Sequence, residues 1–161
     1  MIIKDLFNYF SDFVPAAALG ELFHASTGTA YDTFRAAAAA RTSQRRIAQI
    51  QDFIFGIEAE SLQKRISQVK GLFLFVEYST ITSSIDTVVD VKTDVMHVAV
   101  TVAAPQDTEQ DQAAELLNQD NCLAILSTIR SAMRDDIDSD NVRWMRYPTS
   151  IQPFAAKALA N

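Results

Sequence analysis

Asp86, Asp90 and His97 are the residues whose types and spacing come nearest to a reactive centre in this chain of 161 residues. Two carboxylates and an imidazole can hold a divalent metal or relay a proton, and Glu77 is the one further acid that could join them. A metal centre ordinarily needs a third or fourth converging ligand and outer partners that orient it. The trio therefore reads more simply as the polar side of a β-hairpin, facing solvent or another subunit.

Other catalytic constellations are missing. The four glycines, at 20, 28, 56 and 71, are too scattered to cradle a phosphate, and neither dinucleotide nor P-loop spacing occurs. A hydrolytic triad would have to draw its base from His24 or His97, yet no G-x-S-x-G turn presents a nucleophile. Cys122 falls on an apolar helical stripe, where a thiol acts as a small core residue. Asp135, Asp136, Asp138 and Asp140 lack the glycine and closing glutamate of a calcium loop and read as a solvated turn. No catalysis, cofactor or bound metal is expected.

Three groups of residues suggest binding instead. Arg35, Arg41, Arg45 and Arg46 gather with only Asp32 nearby, which suits a phosphate, an acidic partner surface or a solvated helix face. Arg143, Trp144 and Arg146 could stack on or bind an anion, or simply protect an edge strand. Phe7, Phe10 and Phe13 recur at helical spacing, as core or as a docking face for another subunit.

The elements that must position these groups follow from periodicity. Residues 3–14 predict an aromatic-striped helix closed by Pro15, with a second short helix over 16–25 and a loop from Ala25 to Thr33. The alanine-rich run to Ala40 favours helix but offers little to pack. Ile47, Ile50, Ile54, Ile57, Leu62, Ile66 and Val69 predict one long helix, opened by Ser43 and stopped near Gly71. Leu72–Tyr78 reads as an interior strand.

Two alternating runs, Ile85–Val91 and Val95–Val102, predict a hairpin pairing Val89 with Met96, Thr87 with Val98 and Ile85 with Val100, turning through Val91–Asp94. Met96, Val98, Val100 and Val102 should then meet the helices. After an Asp107–Gln110 capping box, helix is expected to about Arg134, divided in two by the polar Asn118–Asn121. Val142–Tyr147 predicts a last strand.

This order reads as α+β, a mainly antiparallel sheet of about four strands with helices on one face and extra N-terminal helices. One domain is expected over 1–161, with a helical arm at 1–42, a core at 43–150 and a C-terminal arm at 151–161. Apolar residues at 48% and charged ones at 21% argue against a largely disordered chain. A net charge of −6 argues against general affinity for nucleic acid or anionic membranes. Asp5 and Asp12 interrupt what an export signal would need, so synthesis and folding in the cytoplasm are expected, which suits a single unbridged cysteine.

The runs GLFLFVEYS, VKTDVMHVAVTVAAP, NCLAILSTIRSAM and VRWMRYPT, in that order, resemble the tail-terminator and neck (tail-completion) proteins of tailed phages and of prophages in bacterial genomes, over residues 44–150. The resemblance implies a small structural subunit without catalytic residues or cofactor. Such a subunit forms a homo-oligomeric ring, often hexameric, at the tail end or head–tail junction. Its partners would be its own copies and other phage structural proteins, first in the cytoplasm and then in the virion. Sheet edges, the Arg35–Arg46 segment and the two termini would make the contacts. A cytoplasmic module that binds a small molecule or peptide through the Trp144 surface or the polar hairpin face is the other reading.

Overall fold

The computed structural model of the chain describes residues 2–21, 29–57, 69, 71–86, 91–104 and 112–145. Among them are α1 (Ile2–Ser11), α2 (Ala16–Glu21), α3 (Thr29–Ala40), β1 (Asp52–Gly56), β2 (Phe73–Tyr78), β3 (Thr82–Asp86), β4 (Val91–Val95), β5 (Val98–Ala103) and α4 (Gln112–Asp138). The α+β class read from the sequence is the class the chain adopts. Among the described residues the main sheet has three strands in the order β1-β2-β5, and β3 and β4 form a separate two-stranded ribbon.

β2 is the central strand because it is apolar on both sides. Leu74 and Val76 are buried on one face and Phe73 on the other, and the register aligns Leu74 with Val102, Val76 with Val100 and Tyr78 with Val98. Val98, Val100 and Val102 thus turn toward the helices as expected, with Met96 packed beside them. β1 lies parallel to β2, Phe53 beside Leu74 and Phe55 beside Val76. A parallel pair needs a long connection, and residues 57–72 are long enough to supply it.

Three expected elements differ. The helix predicted from Ser43 does not form over its first half, where residues 44–50 make turns and 52–56 make β1. Phe53 and Phe55 face the helices while Ile54 joins Phe73 on the opposite side, so the local period is two and the three-four isoleucine spacing was coincidental. Ser43 caps a turn, its Oγ accepting from the Arg45 amide at 3.1 Å, rather than opening a helix. Residues 58–68 of that expectation lie outside the described set.

The predicted hairpin pairs otherwise. β3 runs against β4, with Thr82 opposite Val95 and Asp86 opposite Val91, so residues 91–94, expected as the turn, lie in β4 instead. β2 sets Leu74, Val76 and Tyr78 opposite Val102, Val100 and Val98 of β5, more apolar surface than the expected partners Ile85 and Thr87 would offer. Nor does the predicted last strand form among the described residues: Val142–Met145 is a turn with Met145 N–H donating to Val142 O at 3.3 Å, because Trp144 and Met145 pack inward, and residues 146–147 lie outside the described set.

The helices fill in the core. α1 buries Leu6, Phe7 and Phe10, and the turn after it buries Phe13 and Val14. That turn closes with Phe13 N–H to Phe10 O at 3.1 Å and Val14 N–H to Ser11 O at 3.2 Å, after which Pro15 opens α2. The segment expected as an arm is therefore part of one core with β1, β2, β5 and α4. α3 starts at Thr29, inside the expected loop, and its alanine run is helical.

α4 is a single helix, undivided at Asn118–Asn121, because Cys122, Ile125, Leu126, Ile129 and Met133 hold one continuous stripe against the core. Asp140, at φ 55°, ends it in the left-handed region, with Asn141 N–H bonded to Asp136 O and Asp140 N–H to Ile137 O. The capping box at Asp107–Gln110 and the C-terminal arm lie outside the described residues.

Candidate functional site

The arginines proposed as partner contacts are mostly spent inside the chain. Arg45 forks onto Asp136, its second guanidinium nitrogen donating to Oδ1 at 2.7 Å and its first to Oδ2. Tyr9 Oη donates to the same Oδ2 at 2.7 Å. Asp136 is only 3% exposed, so the tetrad read as a solvated turn contains a buried carboxylate. Burial and the neighbouring carboxylate push the Tyr9 phenol well above its ordinary value. The Arg45 bond holds Asp136 below the usual carboxylate range against the opposing effect of burial.

A group that exchanges protons in catalysis works best near the operating pH. Tyr9 and Asp136 are displaced in opposite directions away from neutrality, so the trio holds rather than reacts. It ties α1, the 41–46 segment and the end of α4 together across 127 and 91 residues of sequence.

Arg41 makes a second tie, to Asp12 Oδ1 at 2.9 Å. Burial raises the Asp12 carboxyl despite Arg41, Arg45 and Arg46 around it. Arg46 donates to the Arg41 carbonyl and keeps a buried Nε with no partner. It also borders an open groove of about 480 Å³ shared with Ile47, Ala48, Gln49, Ala124, Ile125 and Thr128. Arg35 sits on α3 with its side chain outside the described set.

The remaining candidates separate. Phe7, Phe10 and Phe13 are 5%, 0% and 1% exposed, so the stripe faces the chain's own core and no other subunit. Trp144 is half-buried with its ring edge-on to Tyr9 at 5.9 Å. Arg143 is exposed and pairs with Asp140 at 3.1 Å, and Arg146 lies outside the described residues.

Asp86 pairs with Val91 at one end of the ribbon, while His97 lies beyond Val95 at the other, about 13 Å of strand away. His97 is anchored there by main-chain bonds to Ser79. Asp90 lies outside the described residues, and among those described no three His, Cys, Asp or Glu gather as metal ligands.

What the fold leaves uncovered is a helix face. At 1.5 Å per residue α4 is about 40 Å long, twice the span of the six-residue strands beneath it. Its first ten residues, 112–121, contain none that is buried. Leu116, Leu117 and Leu123 are 61%, 66% and 58% exposed. This surface was not singled out in the sequence, where Leu116 and Leu117 look like ordinary helix-interior leucines.

No protein-family model, curated protein or solved structure matches the chain. No helix among the described residues is long and apolar enough to cross a membrane.

Proposed function

We propose that the chain is a structural subunit that works by assembling with copies of itself and with other structural proteins, as a ring at the tail end or head–tail junction of a tailed phage or prophage. The exposed leucine face of α4 is the observation that supports assembly. Three large aliphatic side chains in water on one helix mark a contact surface more often than isolated exposed residues do. The phage setting comes from the resemblance over residues 44–150.

The core gives such a subunit a rigid body. β2 is held on both sides, and the Arg45–Asp136 and Arg41–Asp12 ties join the end of α4 and the turn after α1 to the 41–45 segment. Among the described residues β1 and β5 are the outer strands of the main sheet, one parallel and one antiparallel to β2. Edges of that kind suit a head-to-tail contact, which closes a ring when the rotation between neighbours permits.

Light scattering on sized fractions together with negative-stain microscopy tests the proposal. Rings of uniform diameter are expected, alone or after addition of a tail-tube or head-completion protein. A strict monomer from micromolar to millimolar, with no rings under any of these conditions, overturns it. A genomic position beside capsid, portal and tape-measure genes is the expected outcome for the phage setting.

A further inference from the structure

Leu116, Asp120, Leu123, Ser127, Arg130 and Arg134 recur at intervals of four, three, four, three and four along α4, the spacing of a helix–helix seam. All six are exposed. The seam is polarised: Asp120 lies in its first half, Arg130 and Arg134 in its second. Resting on the self-assembly reading above, we propose that this seam is a contact with a second copy of the chain. The two α4 helices pack antiparallel about a two-fold axis near Ile125.

Polarity selects the orientation. A parallel pair sets Asp120 beside Asp120 and Arg130 beside Arg130. An antiparallel pair centred near Ile125 brings Asp120 to Arg130 and lays Leu116 along the aliphatic stem of Arg134, and the two-fold makes each contact twice. A shift that stacks leucine on leucine, Leu116 over Leu123, moves the axis to Asp120 and opposes the two carboxylates. In the charge-matched register Leu123 falls across from Ser127, beside Ala124. These small side chains let helices approach closely, and the open groove bordered by Ala124, Ile125 and Thr128 flanks them. The overhanging first turns, which have no core of their own, then lie along the partner's second half.

A two-fold contact is saturated by one partner. It therefore makes pairs, or joins two rings, and leaves ring closure to another surface.

Sedimentation equilibrium and light scattering on the full chain and on surface variants test this, with circular dichroism confirming unchanged helix content. Leu123→Asp and Asp120→Arg should each weaken pairing at least about tenfold, since the symmetry repeats every change. The double variant Asp120→Arg/Arg130→Asp should restore affinity to within about threefold of the parent. Tighter pairing in Asp120→Asn points to the leucine-stacked register and overturns the proposal, as does failure of the double variant to recover. A parent oligomer indifferent to both single changes overturns the α4 contact while self-assembly stands. A monomeric parent overturns the α4 contact, and the ring reading falls with it only if no rings form on adding the tail-tube or head-completion protein.

Discussion

Replacing Asp136 with asparagine removes the charge on which Tyr9 and Arg45 converge and leaves the side-chain volume intact. Breaking a fully buried ion pair from one side costs about 3–5 kcal/mol. The Arg45 side chain is 42% exposed, so water takes up part of its guanidinium and that range is an upper bound. The Tyr9 bond survives as a neutral one at roughly half strength. The expected loss is about 2–3 kcal/mol, or about 5–10 °C in melting temperature for a chain of this length.

Urea unfolding at constant m is the assay. Arg45→Met in the Asp136→Asn background should cost less than it does alone, by about 1 kcal/mol or more, because the two act as one unit. The acid limb gives a second readout. Since the folded state holds Asp136 below its ordinary value, its contribution is present above the unfolded value of about 3.9 and is lost as pH falls through the depressed folded one. Asp12 has the opposite sign, its raised carboxyl favouring the folded state in acid and losing that contribution as pH rises. Asp136→Asn should therefore flatten the loss of stability below about pH 4. A variant within about 0.5 kcal/mol of the parent, with an unchanged acid limb, refutes the clamp.

Phe10 is fully buried, so Phe10→Ala should lose about 3–5 kcal/mol in denaturant titration, where a mere docking residue would leave monomer stability unchanged. Asp140→Gly relieves a left-handed non-glycine residue and gives up only an exposed ion pair, so melting should rise, by about 0.5–1 kcal/mol in stability. Burial raises the Cys122 thiol, so its reaction with a disulfide reagent at pH 8 should be slower than in the urea-unfolded chain.

Where one element's pattern was self-sufficient, the sequence carried it. The aromatic period of α1, the apolar run of β2 and the valine alternation of β5 each bury one or both faces, and each formed with its expected orientation. Residues 47–57 failed because four isoleucines satisfy helical spacing while the decisive Phe53–Ile54–Phe55 alternation spans only three residues. Gly56 weakens a helix, the consecutive aromatic and β-branched side chains favour a strand, and tertiary pairing with β2 settled the contest. The hairpin failed for a related reason. Alternation fixes which residues share a face, and β5 could satisfy its valines on β2 as well as on a sequence neighbour.

The functional groups were legible by type and illegible by partner. Nothing near Arg45 in the sequence points to Asp136, and nothing near Asp136 points to Tyr9, since pairing at separations of 91 and 127 residues exists only in the folded chain. Four arginines with one nearby acid therefore looked like a surface awaiting an anion. Two of them instead meet carboxylates carried by α4 and the turn after α1. The same folding event that absorbs these charges leaves the leucines exposed, because the stripe from Cys122 to Asp136 is fixed on the core and the ten residues before it contain none that is buried. Anchorage at one end of α4 and exposure at the other accord with one mismatch in length, between a helix of about 40 Å and strands of about 20 Å.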